Sequence, residues 1–168
     1  AGQRWEWDGV RFELLHPPLE SYGVERMRAN DRSCVLRIET PAARVLLTGD
    51  IEACAERAMV GDPQALRADI LVAPHHGSTT SSTQAFVAAV FPAITIFTVG
   101  YRNRFGHPRM EVVQRYRDVG SRILRSDRDG AIVLQIGADG IRLELQRERY
   151  RRYWHDPPTR GGIGLDEL

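Results

Sequence analysis

A chain of 168 residues with 42% hydrophobic content is long enough for one soluble domain with a sizeable core. Its 23 basic and 22 acidic residues leave a formal net charge of +1, which excludes a global electrostatic pull toward nucleic acid and leaves any such affinity to a local patch. No apolar run reaches the roughly 18 residues that span a bilayer, and the amino terminus has no basic-then-apolar signal pattern.

Trp5 to Trp7, Asp8-Gly9 and Val10 to His16 read as a hairpin, because Asp-Gly supplies the positive φ angles of a two-residue turn. Pro17 and Pro18 end it, and Leu19 to Asp31 is polar without a period, a loop or short irregular helix. Ser33 to Thr40 alternates as a half-buried strand, and Arg44 to Thr48 is an apolar strand that stops at Gly49-Asp50. Ile51 to Val60 reads as a helix whose start receives Asp50 near its dipole-positive end. Cys34 and Cys54 lie among apolar neighbours and are expected to be buried free thiols.

Asp69 to Ala73 is a buried strand that runs into Pro74-His75-His76-Gly77-Ser78 and a hydroxyl-rich turn. Thr83 to Val90 reads as a helix capped by Ser81 or Ser82, and Ala93 to Val99 as a third buried strand. Pro108 to Val119 reads as a helix with proline in its first turn and Gly120 at its end. This βαβ rhythm predicts a layered α/β domain. Ser121 to Arg125, Gly130 to Gly137 and Ile141 to Gln146, with Asp129-Gly130 and Asp139-Gly140 between them, are expected to form a terminal antiparallel meander. Residues 1–147 form the domain in this reading, and 148–168 a charged, Pro- and Gly-rich tail. Arg147, Arg149, Arg151 and Arg152 make the one basic patch. The chain begins at Ala1 rather than Met, so it is expected to be a processed or excised piece.

Asp50, His75 with His76, and the loop from Gly100 to His107 all follow the carboxyl ends of apolar strands, the edge where open α/β sheets bind ligands. Asp and His without a neighbouring cysteine suit zinc, manganese or iron better than calcium, and such an ion generates a nucleophile near neutral pH. Each residue also has a plainer reading. Gly-Asp makes turns, His107 before Pro108 can simply start a helix, His16 and His155 are expected to be structural or exposed, and Ser78 can serve its own turn. A Ser78 nucleophile with His76 as base lacks the Gly-x-Ser-x-Gly elbow and a placed acid, so metal is the better expectation.

Read together, Val-Leu-Leu-Thr-Gly-Asp (45–50), Ala-Asp-Ile-Leu-Val-Ala-Pro-His-His-Gly-Ser (68–78), Tyr-Arg-Asn-Arg-Phe-Gly-His-Pro (101–108) and Ser-Asp-Arg-Asp-Gly-Ala-Ile (126–132) resemble the metallo-β-lactamase-like domain at the carboxyl terminus of ComEC-type DNA-uptake competence proteins, over roughly residues 10–147. The resemblance implies an αββα sandwich, a site for divalent Zn or Mn, and nuclease or phosphodiesterase action on DNA. It also implies a parent chain with a membrane channel domain, so that this stretch would be a soluble, extracytoplasmic part of a cell-membrane protein.

Asp50 and His75 match metal positions, while His76, His107 and Ser78 fall where substrate or proton contacts are expected. The family's His-x-His-x-Asp-His motif is absent from this sequence. The chain is therefore expected to be the carboxyl-terminal half of the domain, to leave the metal incompletely ligated, to be inactive alone, and to expose an apolar sheet face where the upstream half would pack. A degenerate DNA- or partner-binding domain and a soluble metallo-hydrolase of the same superfamily are the alternatives.

Overall fold

The computed structural model describes residues 1–23 and 27–153. His155 and most of the expected tail lie outside the described residues. The chain opens with strands β1 (Arg4–Trp7) and β2 (Val10–His16). Trp7 pairs with Val10 across Asp8 and Gly9, whose φ angles of 50° and 75° give the tight hairpin expected of Asp-Gly. Strands β3 (Val35–Glu39) and β4 (Arg44–Leu47) continue antiparallel, and β5 (Ile70–Val72), β6 (Ile94–Phe97) and β7 (Arg122–Arg125) then add in parallel. Spatial order follows chain order throughout this seven-stranded sheet, so the parallel crossovers step in one direction and their helices share one face.

Those helices are α1 (Ala53–Met59), α2 (Pro63–Leu66), α3 (Gln84–Val90) and α4 (Met110–Asp118). Against them the sheet presents Val35, Leu46, Leu71 and Phe97, which join Ile51, Phe86, Val87, Val112 and Tyr116 in the main core. Burial of each large apolar side chain there contributes about 1.5–3 kcal/mol.

The opposite face carries Ile70, Ile96 and Leu124, which form a second core with Leu145 of the layer above. It lies beneath a separate hairpin of β8 (Ile132–Gly137) and β9 (Gly140–Leu145), in which inward Ile132, Leu134 and Ile136 alternate with exposed Val133 and Gln135. The layered α/β architecture read from the sequence is the one observed.

Four local expectations are corrected. Strand β7 joins the main sheet in parallel instead of starting a meander, because the crossover through α4 returns it beside β6. Asp129-Gly130 is not a hairpin turn: Ser126–Asp129 forms a helical turn, α5, with Gly130 after it. Helix α3 is capped by Thr83, whose hydroxyl accepts from Phe86 N at 3.3 Å, while Ser81 and Ser82 are buried inside the preceding turn. Cys34 and Cys54 are free but exposed: Val35 rather than Cys34 points into the helix-covered core.

A helix near its expected place, α4, begins two residues after Pro108. The terminal arginines Arg147 and Arg149 fall in a last helical turn, α6 (Gln146–Arg149).

Candidate functional site

The parallel strands bring their carboxyl ends to one edge, and two of the connections there are stitched by backbone. Strand β4 runs through Thr48, whose hydroxyl donates to Val72 O at 2.8 Å, into Gly49. Gly49 has a φ of 55°, and a Cβ there would meet Ser33 Cβ at 2.9 Å. Gly49 O accepts from His75 N at 3.0 Å, and Asp50 N donates to Ser33 Oγ at 3.2 Å. The ends of β4 and β5 are thereby fixed against each other.

After β5 the chain takes three consecutive left-handed residues, His75, His76 and Gly77, with φ of 48°, 55° and 81°. For the two histidines this conformation costs of order 1–2 kcal/mol each, a cost that local geometry must offset. Its result is that the adjacent imidazoles address different partners. His76 Nδ1 lies 2.7 Å from Thr98 O. A carbonyl only accepts, so Nδ1 carries the hydrogen and the Nε2 lone pair of the neutral ring is left for the site. That Nε2 faces Asp50 Oδ1 at 3.4 Å. Two electron-rich atoms so placed are favourable only with a proton or a cation between them.

His75 is directed elsewhere, to Glu52 Oε1 at 3.4 Å and Thr80 Oγ1 at 3.2 Å. Glu52 also accepts from Asn30 Nδ2 and Arg28 Nη1, each at 3.1 Å. Burial pushes the Glu52 carboxyl up, but the hydrogen bonds from Asn30, Arg28 and Thr80 and the charge of His75 outweigh it and hold the group below its ordinary range.

His107 comes to the same place from the β6–α4 connection, its ring centroid 6.2 Å from that of His75. Its Nδ1 is buried without a hydrogen-bond partner. Burial, then the charges of Arg109, His75 and His76, push this imidazole below its ordinary value.

Asp50, His75, His76 and His107, expected from sequence to share a site, do share this edge. Ser78 does not face it openly: the residue is 7% exposed, and its Oγ is engaged by Thr80 Oγ1 at 3.1 Å and Thr80 N at 3.3 Å. The sequence reading sets His75 beside Asp50 at the metal positions; in the structure the imidazole that meets Asp50 is His76, and His75 turns to Glu52.

Sequence reasoning passed over Glu52, Asn30 and Asp31. Asp31 is 3% exposed, and its Oδ1 accepts from Glu52 N at 3.0 Å and Ala55 N at 3.3 Å. It therefore holds the start of α1, the place expected for Asp50. His16, 2% exposed, donates from Nε2 to Asp31 O at 2.7 Å and supports that segment. The available signal was Glu52 two positions beyond Asp50; nothing local marks Asp31.

Two donor atoms, from Asp50 and His76, fit one edge of a divalent-metal site with a properly oriented imidazole. A catalytic zinc takes three protein ligands, and among the described residues no three His, Cys, Asp or Glu side chains are grouped to hold an ion. The described residues therefore do not make a complete metal centre.

Fold and edge together define a layered α/β domain with an Asp–His pair at the carboxyl edge of its parallel strands. No family model matches the chain. It is 39% identical over 161 residues to the competence protein ComA of Neisseria gonorrhoeae, covering 94% of this chain and 22% of that protein. It is 31% identical over 149 residues to recombination protein 2 of Haemophilus influenzae, covering 89% and 18%. With ComE operon protein 3 of Bacillus subtilis it shares 35% identity over 123 residues, covering 73% and 15%. The chain belongs to the ComEC family of competence proteins and spans about a fifth of the length of these relatives.

Proposed function

We propose that this chain is the carboxyl-terminal part of a metallo-β-lactamase-like domain that hydrolyses phosphodiester bonds in DNA during uptake. The observation that carries the reading is the Asp50–His76 pair at 3.4 Å, with its imidazole tautomer set by Thr98 O, on a ligand-binding sheet edge. Relatives named as competence and recombination proteins support DNA as the substrate class.

In this reading Asp50 and His76 supply two donors to a Zn or Mn ion. Such an ion supplies Lewis acidity and an activated water, and its remaining ligands come from an upstream segment of the natural protein. Glu52 orients His75 through the 3.4 Å contact, and His107 packs beside it with its Nδ1 buried and unpartnered, so that its role is to shape the edge around His75. Ser78 acts through the turn that presents the histidines. The natural protein would carry this soluble domain beside a membrane channel, on the extracytoplasmic side; no helix among the described residues is long and apolar enough to cross a membrane.

The test incubates the complete natural protein with single-stranded DNA and Mn²⁺, beside its Asp50→Ala and His76→Ala variants. Cleavage should fall at least about a hundredfold in both. Equal cleavage by wild type and Asp50→Ala would sink the assignment.

One observation favours a second reading, a domain that binds DNA or a channel partner without chemistry: the described residues group no third metal ligand. Absence of any metal-dependent cleavage by the complete protein, with DNA binding retained, is its expected result.

A further inference from the structure

The connection between β6 and α4 lies outside the Asp50–His76 pair and has an unusual composition. It reads Tyr101-Arg102-Asn103-Arg104-Phe105-Gly106-His107-Pro108-Arg109, with three arginines and no acid. The loop is built before any ligand arrives. Asn103 Nδ2 donates to His107 O at 2.7 Å, and its Oδ1 accepts from His107 N at 2.9 Å. Gly106 N donates to Asn103 O, and Asn103 N to Gly100 O, each at 3.2 Å. Arg102 and Gly106 take the positive φ angles, 50° and 65°, that this tight path requires.

The closed loop holds two aromatic rings in solvent. Phe105 is 60% exposed and Tyr101 52%. Guanidinium groups lie over both: Arg104 is 4.9 Å from the Phe105 centroid, and Arg102 and Arg147 are 5.1 and 5.5 Å from that of Tyr101. Arg147 also donates from Nη1 to the main-chain oxygens of Asp127 and Arg128, which fix the side chain without neutralising it. None of Arg102, Arg104, Arg109 and Arg147 sits in an ion pair among the described residues.

We propose that this loop, with Arg147, is a platform for single-stranded DNA, on which bases stack against Phe105 and Tyr101 while the arginines take the phosphates. The inference rests on the DNA reading above and specifies the strand form and the residues that hold it. Exposed aromatic rings interleaved with unneutralised arginines match a strand whose bases are free to leave a stack. A duplex offers such rings only its phosphates, since its base faces are already occupied. The platform also points somewhere: Phe105 stacks on His107 with centroids 6.0 Å apart, and His107 neighbours His75 at 6.2 Å. A strand held on the loop is delivered to the edge where Asp50 and His76 meet.

Fluorescence anisotropy of the full chain with a labelled oligothymidylate, at low salt and with EDTA present, tests this without any need for cleavage. Phe105→Ala should weaken binding roughly tenfold with an unchanged circular dichroism spectrum, and Phe105→Trp should restore it. Arg102→Gln with Arg104→Gln should weaken binding and flatten its salt dependence by about two phosphate contacts.

Unchanged affinity in Phe105→Ala overturns the platform, as does equal affinity for a duplex of the same length, for heparin or for anionic vesicles. Phe105-dependent binding without cleavage by the complete protein keeps the platform and removes the nuclease reading. Asp50-dependent cleavage without Phe105-dependent binding does the reverse.

Discussion

Gly77 carries a constraint that no other residue type meets. Its φ is 81°, and a Cβ built on it would lie 2.6 Å from Pro108 Cβ and 2.7 and 2.8 Å from two atoms of the Phe97 ring. Both obstacles belong to packed elements, so neither can swing aside as an exposed side chain would. Gly77→Ala should cost about 3 kcal/mol from left-handed strain and overpacking together. Urea denaturation reads this directly, and a midpoint within error of wild type would refute it.

The same close approach explains why part of the site was legible and part was not. Pro-His-His-Gly-Ser after an apolar strand marked the place, because strand ends, glycine and paired imidazoles are local signals. Which imidazole meets Asp50 was not legible, since it depends on two histidines in left-handed conformation and on Thr98 O from a neighbouring strand. Glu52 and its partners Asn30 and Arg28 stayed hidden for a related reason: they are 22 and 24 residues apart in sequence and meet only in the fold.

Helix α1 owes its position to two carboxylates. Asp31 holds its first turn from the segment before β3. Glu56, fully buried, reaches out of the helix to the turn that follows the histidines and accepts from Ser82 N and from Thr83 N, the latter at 2.8 Å. Arg115 of α4 donates to Ser82 O at 2.8 Å, and Tyr116 OH to Ser82 Oγ at 2.9 Å. One turn thus ties α1 and α4 together beside the site.

Burial raises the Glu56 carboxyl above its ordinary value of 4.5, against the opposing pull of the Thr83 and Ser82 hydrogen bonds and Arg115. A raised carboxyl favours the neutral form, so its contribution to stability is complete below about pH 4.5 and is lost as pH rises through the folded pKa. Glutamine copies the neutral acid in shape. The stability of wild type relative to Glu56→Gln should therefore decline as pH rises above about 4.5, as read from paired urea midpoints. A gap that widens in favour of wild type would contradict the assigned sign. Removing the acceptor altogether is a separate matter: Glu56→Ala leaves two amides without partners and should cost about 2–4 kcal/mol at any pH. Such a long-range tie has no periodic signature, whereas the helices it joins were legible from local signals, alanine-rich composition in one and Pro108 and Gly120 at the ends of the other.

At the scale of the whole molecule, the two faces of the antiparallel end of the sheet are reversed from what a covered domain needs. On the helix side, β1 to β4 carry Arg4, Glu13 and Arg37 in one ion-paired row, with Arg11, Glu39 and Arg44 in the next. On the other side, strand pairing aligns Trp5, Phe12, Ile38 and Val45 in one row and Leu14, Leu36 and Leu47 in another. Trp5 is 45% and Trp7 76% exposed, and the remaining apolar residues of these rows are only half-buried. The β8–β9 hairpin covers this face only over the parallel strands, where Ile70, Ile96 and Leu124 are buried. The apolar alternation was legible in β3, where period-two patterning records which face is meant to be dry, whereas the expectation of an uncovered patch came from the missing upstream half. What the alternation alone could not give was the limit of the hairpin's reach, set by the pairing of β7 with β6. A continuous apolar surface of this kind binds apolar dyes and associates. The chain should enhance the fluorescence of anilinonaphthalene sulfonate in its folded state, and its sedimentation-average mass should rise with concentration. Replacing Trp5 and Trp7 together by Gln should reduce both signals without changing the circular dichroism spectrum, since neither ring belongs to a buried core. Fluorescence at the level of a fully covered globular protein, or a double variant with undiminished signals, would show that the face is not the open surface its side chains describe.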